Sequence, residues 1–324
     1  MSRNFGMALS AALLATVVVA APAHASTTAV ELDRLPGTTE QEAAAINDAG
    51  VVAGSATIDG STRAVKWDAD GTVSAVGGPN TKAKAVNSSG VIAGETKVSG
   101  AAVAVRFDLD GTHTVLGAIP GHNAVVTGVD DAGVVYGYSL EPSGVGAWLA
   151  VRWDLTGVLT PLAVPDGTTT SQVSAVSPNG FATGWVEGER SGAVRWNPDG
   201  SVTRLPGLEE HRRARGTGVN RHGDVVGTAE YRSTMYSVRW NHDGTIIQFD
   251  GSGRAAWIND EGVVVSTVGF KAVRWSPTGE RTDLRWPTGS YLGRVTAINS
   301  SGVVVGHSGD GTIDPKNAVK WVLG

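Results

Sequence analysis

The chain has no cysteine in 324 residues, so disulfides and a cysteine-linked lipid anchor are both excluded. A secreted domain without disulfides needs a large apolar core instead, and a chain of this length can supply one. Stretches with helical spacing of apolar residues are nearly absent. After the first few dozen residues, no apolar run is long enough to cross a bilayer. Basic residues are in the minority, 26 against 31 acidic. That balance argues against general binding to nucleic acids or anionic membranes, which requires a basic face.

The chain begins MSRNFGMALSAALLATVVVAAPAHA. Arg3, a short apolar run from Gly6 to Ala21 and the small residues of Ala23–Ala25 form a secretory leader pattern. Residues 1–25 are expected to be a signal peptide cleaved near Ala25, leaving 26–324 as one secreted domain. No Arg-Arg pair marks the twin-arginine route.

Glycine is abundant, at 44 residues, and short Val, Ala and Thr runs alternate with Asn, Asp and Gly. This is an all-β pattern. A first motif, AINDAGVVAG at Ala45, recurs at Ala85, Gly128, Ala175, Gly218, Trp257 and Ala297. A second, AVKWDADGT at Ala64, follows each copy, at Ala104, Ala150, Ala193, Ser237, Ala272 and Ala318. The period of about 39 to 47 residues is that of a four-stranded propeller blade. Each repeat reads as strands a to d. Strand a ends at the first motif's Ile or Val, strand b is its Val-rich run, and strand c is A-V-[KR]-[WF].

The seventh copy stops at KWVLG, after strand c, while ELDRLPG at Glu31 has no strands a to c before it. DRLPG at Asp33 matches TRLPG at Thr203, which lies in a strand d. Residues 31–35 are therefore predicted to be the displaced outer strand of the last blade, closing a seven-bladed β-propeller of antiparallel blades. Closure removes sheet edges that template aggregation.

These repeats resemble bacterial extracellular repeats of the HAF type. The likeness rests on Ile46-Asn47, Gly50, Val51-Val52 and Gly54, with Pro36-Gly37, Pro120-Gly121 and Pro206-Gly207 before strand a. It covers essentially the whole mature chain. Ala-Val-Arg or Ala-Val-Lys stands where that family has His-Ala-Phe. The resemblance implies a secreted β-propeller and brings no catalytic residues.

Most conspicuous residues are read as structural. Asn47 and its equivalents suit a turn, accepting backbone hydrogen bonds a few residues on. Gly50 suits a left-handed position. The Asp after Asn47 becomes Ser88, Pro178, Arg221 or Ser300 elsewhere, which a metal ligand would not tolerate. Asp68 with Asp70, and Asp108 with Asp110, lack the third ligand and the Glu of a calcium loop. The recurring Lys or Arg of strand c is expected to bridge blades, and the Trp beside it to pack them. The seven His residues show no metal spacing. No catalytic residue, metal site or cofactor is assigned.

The a–b and c–d turns keep their lengths, whereas the b–c and d–a connections vary. One face is therefore uniform and the other individual, and binding residues concentrate on variable loops over a rigid scaffold. The variable face collects Tyr138, Trp148, Tyr231, Tyr236, Trp286 and Tyr291, which suit sugars or a protein partner or else fold back onto the rim. Four residues before the apolar end of strand a stand Glu42, Lys82, Val125, Gln172, Arg215, Arg254 and Arg294, with Arg212 and Arg213 nearby. This row should ring the channel mouth and hold an anionic group, unless its arginines pair with Glu42, Glu209 or Glu210.

The expectation is a monomeric, secreted recognition propeller for an extracellular glycan or protein, with Lys82, Arg215, Arg254, Arg294, Trp148, Trp286 and Tyr291 at the site. A glycan hydrolase or lyase on the same scaffold is the alternative. Glu42, Glu141, Glu187, Asp310 and Asp314 are its candidate carboxylates, though no spacing picks a pair. A purely structural extracellular role is the third.

Overall fold

The computed structural model describes residues 28–108, 112–143, 146–209, 213–249, 254–309 and 316–323. The leader segment lies outside them. The described chain forms seven four-stranded antiparallel sheets in a ring. Blade 1 comprises Thr38–Ile46, Val52–Ile58, Ser61–Trp67 and Val73–Pro79 as strands a to d. Blade 7 takes strands a to c from Leu292–Ile298, Val303–Gly309 and Asn317–Val322. Its fourth strand is Val30–Glu31, paired with Lys320 and Val319.

The closing strand is shorter and starts one residue earlier than expected. Leu32 still donates its N–H to Ala318 O at 2.9 Å. Beyond it the backbone leaves the sheet to meet blade 1. Leu32 O accepts from the buried Gln41 amide at 2.8 Å, and Asp33 O accepts from Trp67 Nε1 at 2.8 Å.

That indole bond is the repeat's first inter-blade fastener. Trp153, Trp196, Trp240 and Trp321 each donate Nε1 to a carbonyl of the preceding blade's d–a connection, at Gly117, Ala163, Pro206 and Arg285. Five of the six recurring Trp thus bind a neighbour as well as filling the core, whereas Trp275 Nε1 has no partner among the described residues. The strand-c cation bridges blades in part, as expected. Arg106, Arg195 and Arg239 reach carbonyls of the next blade at Leu155, Gly223 and Gly262. Lys66 instead pairs with Asp68 in its own blade.

The Asn of the first motif is the second fastener. Its Oδ1 accepts an N–H four residues on, as from Val51 to Asn47 at 2.9 Å. Its Nδ2 donates to the next blade: Asn47 to Asn87 O, Asn87 to Asp130 O, Asn220 to Asn259 O, Asn259 to Asn299 O and Asn299 back to Asn47 O. Blade 3 has Asp130 there, which cannot donate when ionised; Asp131 N–H to Pro178 O makes that link. Blade 4 has Ser177, and Asn179 Nδ2 to Arg221 O makes the next. The belt therefore runs through all seven blades. Asn is favoured because one side chain both accepts within its turn and donates across the interface.

Asp130 is buried, and burial pushes its carboxyl above the ordinary range despite hydrogen bonds from Val134 and Tyr136. Raising the folded pKa means that the ionised form costs stability, and that cost appears as pH rises through the raised value. Asp130→Asn removes it and restores a belt donor. The variant is expected to gain about 1–2 kcal/mol in urea unfolding at pH 7 and nothing at pH 3. No gain at pH 7 would contradict the cost assigned to the ionised Asp130.

Candidate ligand-binding mouth

Strand a of every blade carries a one-residue irregularity, which in the sixth lies between Arg254 and Trp257. The register slips by one between Ala43 and Ala45, and likewise at 83/85, 126/128, 173/175, 216/218 and 295/297. The extra residue is a β-bulge, which bends a strand and re-aims its side chains. The carbonyl four residues before the strand's apolar end then lies over the glycine that closes the first motif. A Cβ at Gly184 would stand 1.8 Å from Gln172 O, and one at Gly94 1.9 Å from Lys82 O. Only glycine permits that approach.

These innermost strands enclose a central cavity of about 450 Å³. At the uniform face it is bounded by the first-motif turns, including Asn47, Asn87 and Asn259. Arg221 reaches across the ring there to Asp131 at 3.0 Å, Asp260 at 3.3 Å and Asp48 at 3.5 Å. The same three carboxylates accept N–H bonds from Ser88, Arg221 and Ser300 of the preceding blades. Asp48, which varies between copies, is therefore a cross-ring anchor. The Asp residues of the c–d turns serve their own turns: Asp70 and Asp199 accept from Thr72 and Ser201, and these bonds hold both carboxyls below the ordinary range.

At the variable face the mouth has two unlike halves. Blades 7, 1 and 2 supply charge. Arg294 and Lys82 are exposed, and Arg294 lines the cavity beside Glu42 and His307. Arg294 has no ion-pair partner among the described residues. Lys316 donates to Glu42. Burial alone would raise the Glu42 pKa, but the Lys316 bond and the charges of His307, Lys316 and Lys82 outweigh it and hold it low. Burial also lowers the His307 pKa; Glu42 opposes this, while Lys316 and Arg294 add to it. The net effect holds the imidazole below its ordinary range, and its Nδ1 is buried with no hydrogen-bond partner among the described residues.

Blades 3 to 5 supply aromatic surface. Tyr138 and Trp148 stack with centroids 5.3 Å apart and planes at 9°. Trp148 leans on the buried Trp185 at 5.8 Å. Arg215 lies over Trp185 at 4.6 Å and pairs with Glu187 at 3.6 Å.

The residues expected at the site are thus dispersed. Lys82 and Arg294 stand at the mouth, and Arg215 is engaged with Glu187. Arg254 is in strand a of blade 6, paired with Thr267, and its side chain lies outside the description. Trp148 is half-buried in the aromatic half. Trp286 packs edge-on against Trp321 at 5.0 Å and donates to Phe270 O, whereas Tyr291 is 70% exposed. Glu210, Arg212, Asp310 and Asp314 lie outside the described residues. Glu141 is exposed. His307, Lys316 and Lys84 were not singled out by the sequence.

No protein-family model matches the chain, and no curated protein matches it in sequence. Solved structures do match in shape. A streptogramin B lyase is 14% identical over 91% of this chain and 97% of its own, with a TM-score of 0.61. A virginiamycin B lyase from Staphylococcus aureus is 12% identical over 92% and 99%, with a TM-score of 0.58. An oligogalacturonate lyase in complex with manganese is 10% identical over 89% and 90%, with a TM-score of 0.64. At such identities the likeness shows the scaffold alone: this chain folds as a seven-bladed β-propeller.

Proposed function

We propose that this protein is a secreted recognition propeller that holds an acidic extracellular glycan at its variable-face mouth. The carrying observation is the divided mouth, with Lys82 and Arg294 on one side and the Tyr138–Trp148 stack on the other. Sugar rings pack on aromatic faces, and carboxylates or sulfates take charge-assisted bonds from Lys and Arg. One of the structural neighbours is named for an oligogalacturonate, a ligand of this class. A protein ligand with an acidic patch is the other occupant to test.

Titration calorimetry with trigalacturonate and its methyl ester tests the proposal. The acid should bind and the ester bind at least tenfold more weakly. Lys82→Ala with Arg294→Ala should reduce affinity for the acid at least tenfold, about 1.4 kcal/mol. Equal binding of acid and ester, or an unaffected double variant, would overturn it.

The mouth also implies a pH dependence. His307 faces Glu42, Lys316 and Arg294. Its folded pKa lies below the ordinary imidazole value of about 6.5, so it gains charge only as pH falls beneath that. Glu42 stays ionised throughout this range. Affinity for the acid should therefore rise as pH drops from 7 to 5, and His307→Gln should flatten the profile. A wild-type profile that falls toward pH 5 would contradict this assignment.

The enzyme reading rests on one observation, the His307 imidazole beside the Glu42 carboxylate at the mouth. Release of unsaturated or hydrolysed product from trigalacturonate would establish it. Glu42→Gln and His307→Gln should then both abolish turnover.

A further inference from the structure

One level below the mouth stands the bulge residue of each strand a. In sequence these positions hold Ala, Lys, Thr, Ser, Thr, Ala and Thr, so Lys84 alone carries a charge. The neighbouring bulge residues Thr127, Thr217 and Thr296 are neutral, and their hydroxyls donate to carbonyls of Tyr136, Val226 and Ala43. Lys84 lines the cavity, is half-buried, and has no carboxylate at ion-pair distance among the described residues. A partly desolvated ammonium with no counter-ion is unfavourable unless an anion joins it.

Further in, the sign reverses. Three carboxylates share the single guanidinium of Arg221, and Asp48 and Asp260 border the cavity at that end. An anionic group drawn in at the mouth meets attraction as far as Lys84 and repulsion beyond it. The far end is thus a stop rather than an exit.

We propose that the channel takes the end of a ligand carrying two anionic groups, the outer held by Arg294 and Lys82 and the inner by Lys84. This rests on the mouth being a ligand site. It adds that the ligand enters end-on and that a second acid group sets its depth.

Calorimetry with linear α,ω-dicarboxylates from succinate to suberate, each against its monomethyl ester, tests it. One chain length should bind best, at least tenfold tighter than its monoester. Lys84→Met should bring that diacid to the affinity of the monoester and leave the monoester unchanged, with an unaltered melting temperature as the control for folding. If diacid and monoester bind alike, or if Lys84→Met leaves the diacid unchanged while Arg294→Ala weakens it, the inner site is wrong and the mouth survives. If Arg294→Ala is also without effect, both fail; if no diacid binds, the inner site is wrong and the trigalacturonate titration decides the mouth.

Discussion

Gly184→Val should destabilise the protein by at least about 3 kcal/mol, the largest effect expected of any single glycine substitution in the ring. The added Cβ would meet Gln172 O at 1.8 Å, and both atoms belong to backbone held on either side by sheet pairing. The strand cannot relax without undoing the bulge, and the bulge orients the channel-facing side chains. Blade 6 shows the exception. Buried Ser266 stands where the other blades have this glycine, and there the slip lies between Arg254 and Trp257. Ser266→Gly should accordingly change stability by less than about 1 kcal/mol. Urea unfolding of both variants checks the pair. A mild Gly184→Val would mean that the close approach is not what retains the glycine.

The second large effect concerns closure. A chain shortened to begin at Pro36 loses the strand that completes blade 7, and with it two buried side chains, Ala29 and Leu32. It also leaves Trp67 Nε1 and the Gln41 amide without their carbonyls. Losing a buried leucine costs about 2–5 kcal/mol, and each abandoned buried donor about 1–3 more. The bared edge of Asn317–Val322 would template association. The shortened chain should therefore be aggregated or melt far below the full one. Moving residues 28–35 to follow Val322, through a turn copied from Asn197–Gly200, should restore a monomer. A shortened chain as stable as the parent would show that the ring does not depend on this strand.

Much of this architecture was legible because the chain repeats. Seven copies of one pattern, and a strand missing at one end with a spare at the other, are properties of residue order alone. The functions of single residues inside the repeat were harder to read. The Asn turn was visible, but its donor bond to the neighbour depends on where the next blade lies. Asp48 looked dispensable because its role is shared with Asp131 and Asp260 around the axis, in alternation with the residues whose N–H groups they accept.

The mouth was legible by half. Counting four residues back from the strand end located Glu42, Lys82 and Arg294. The facing row is the residue after the motif's last glycine, Ser55, Glu95, Tyr138, Trp185, Thr228, Thr267 and His307. It pairs residue for residue with the first row. That register would have found His307 and the Trp185 platform under Arg215. Lys316 had no such signal, since it belongs to a connection of variable length. Lys84 was hidden because an undistorted strand would not single it out, and the bulge becomes visible only in the pairing.

Hydrogen exchange of the protein with and without saturating trigalacturonate tests the central claim most directly. Protection should appear at the variable-face ends of the innermost strands, around Glu42, Lys82 and Tyr291–Arg294, and in the Trp148 segment. The first-motif turns at Asn47, Asn87 and Asn259 should be unchanged. Protection confined to those turns, or none at any ligand concentration, would contradict a ligand site on the variable face.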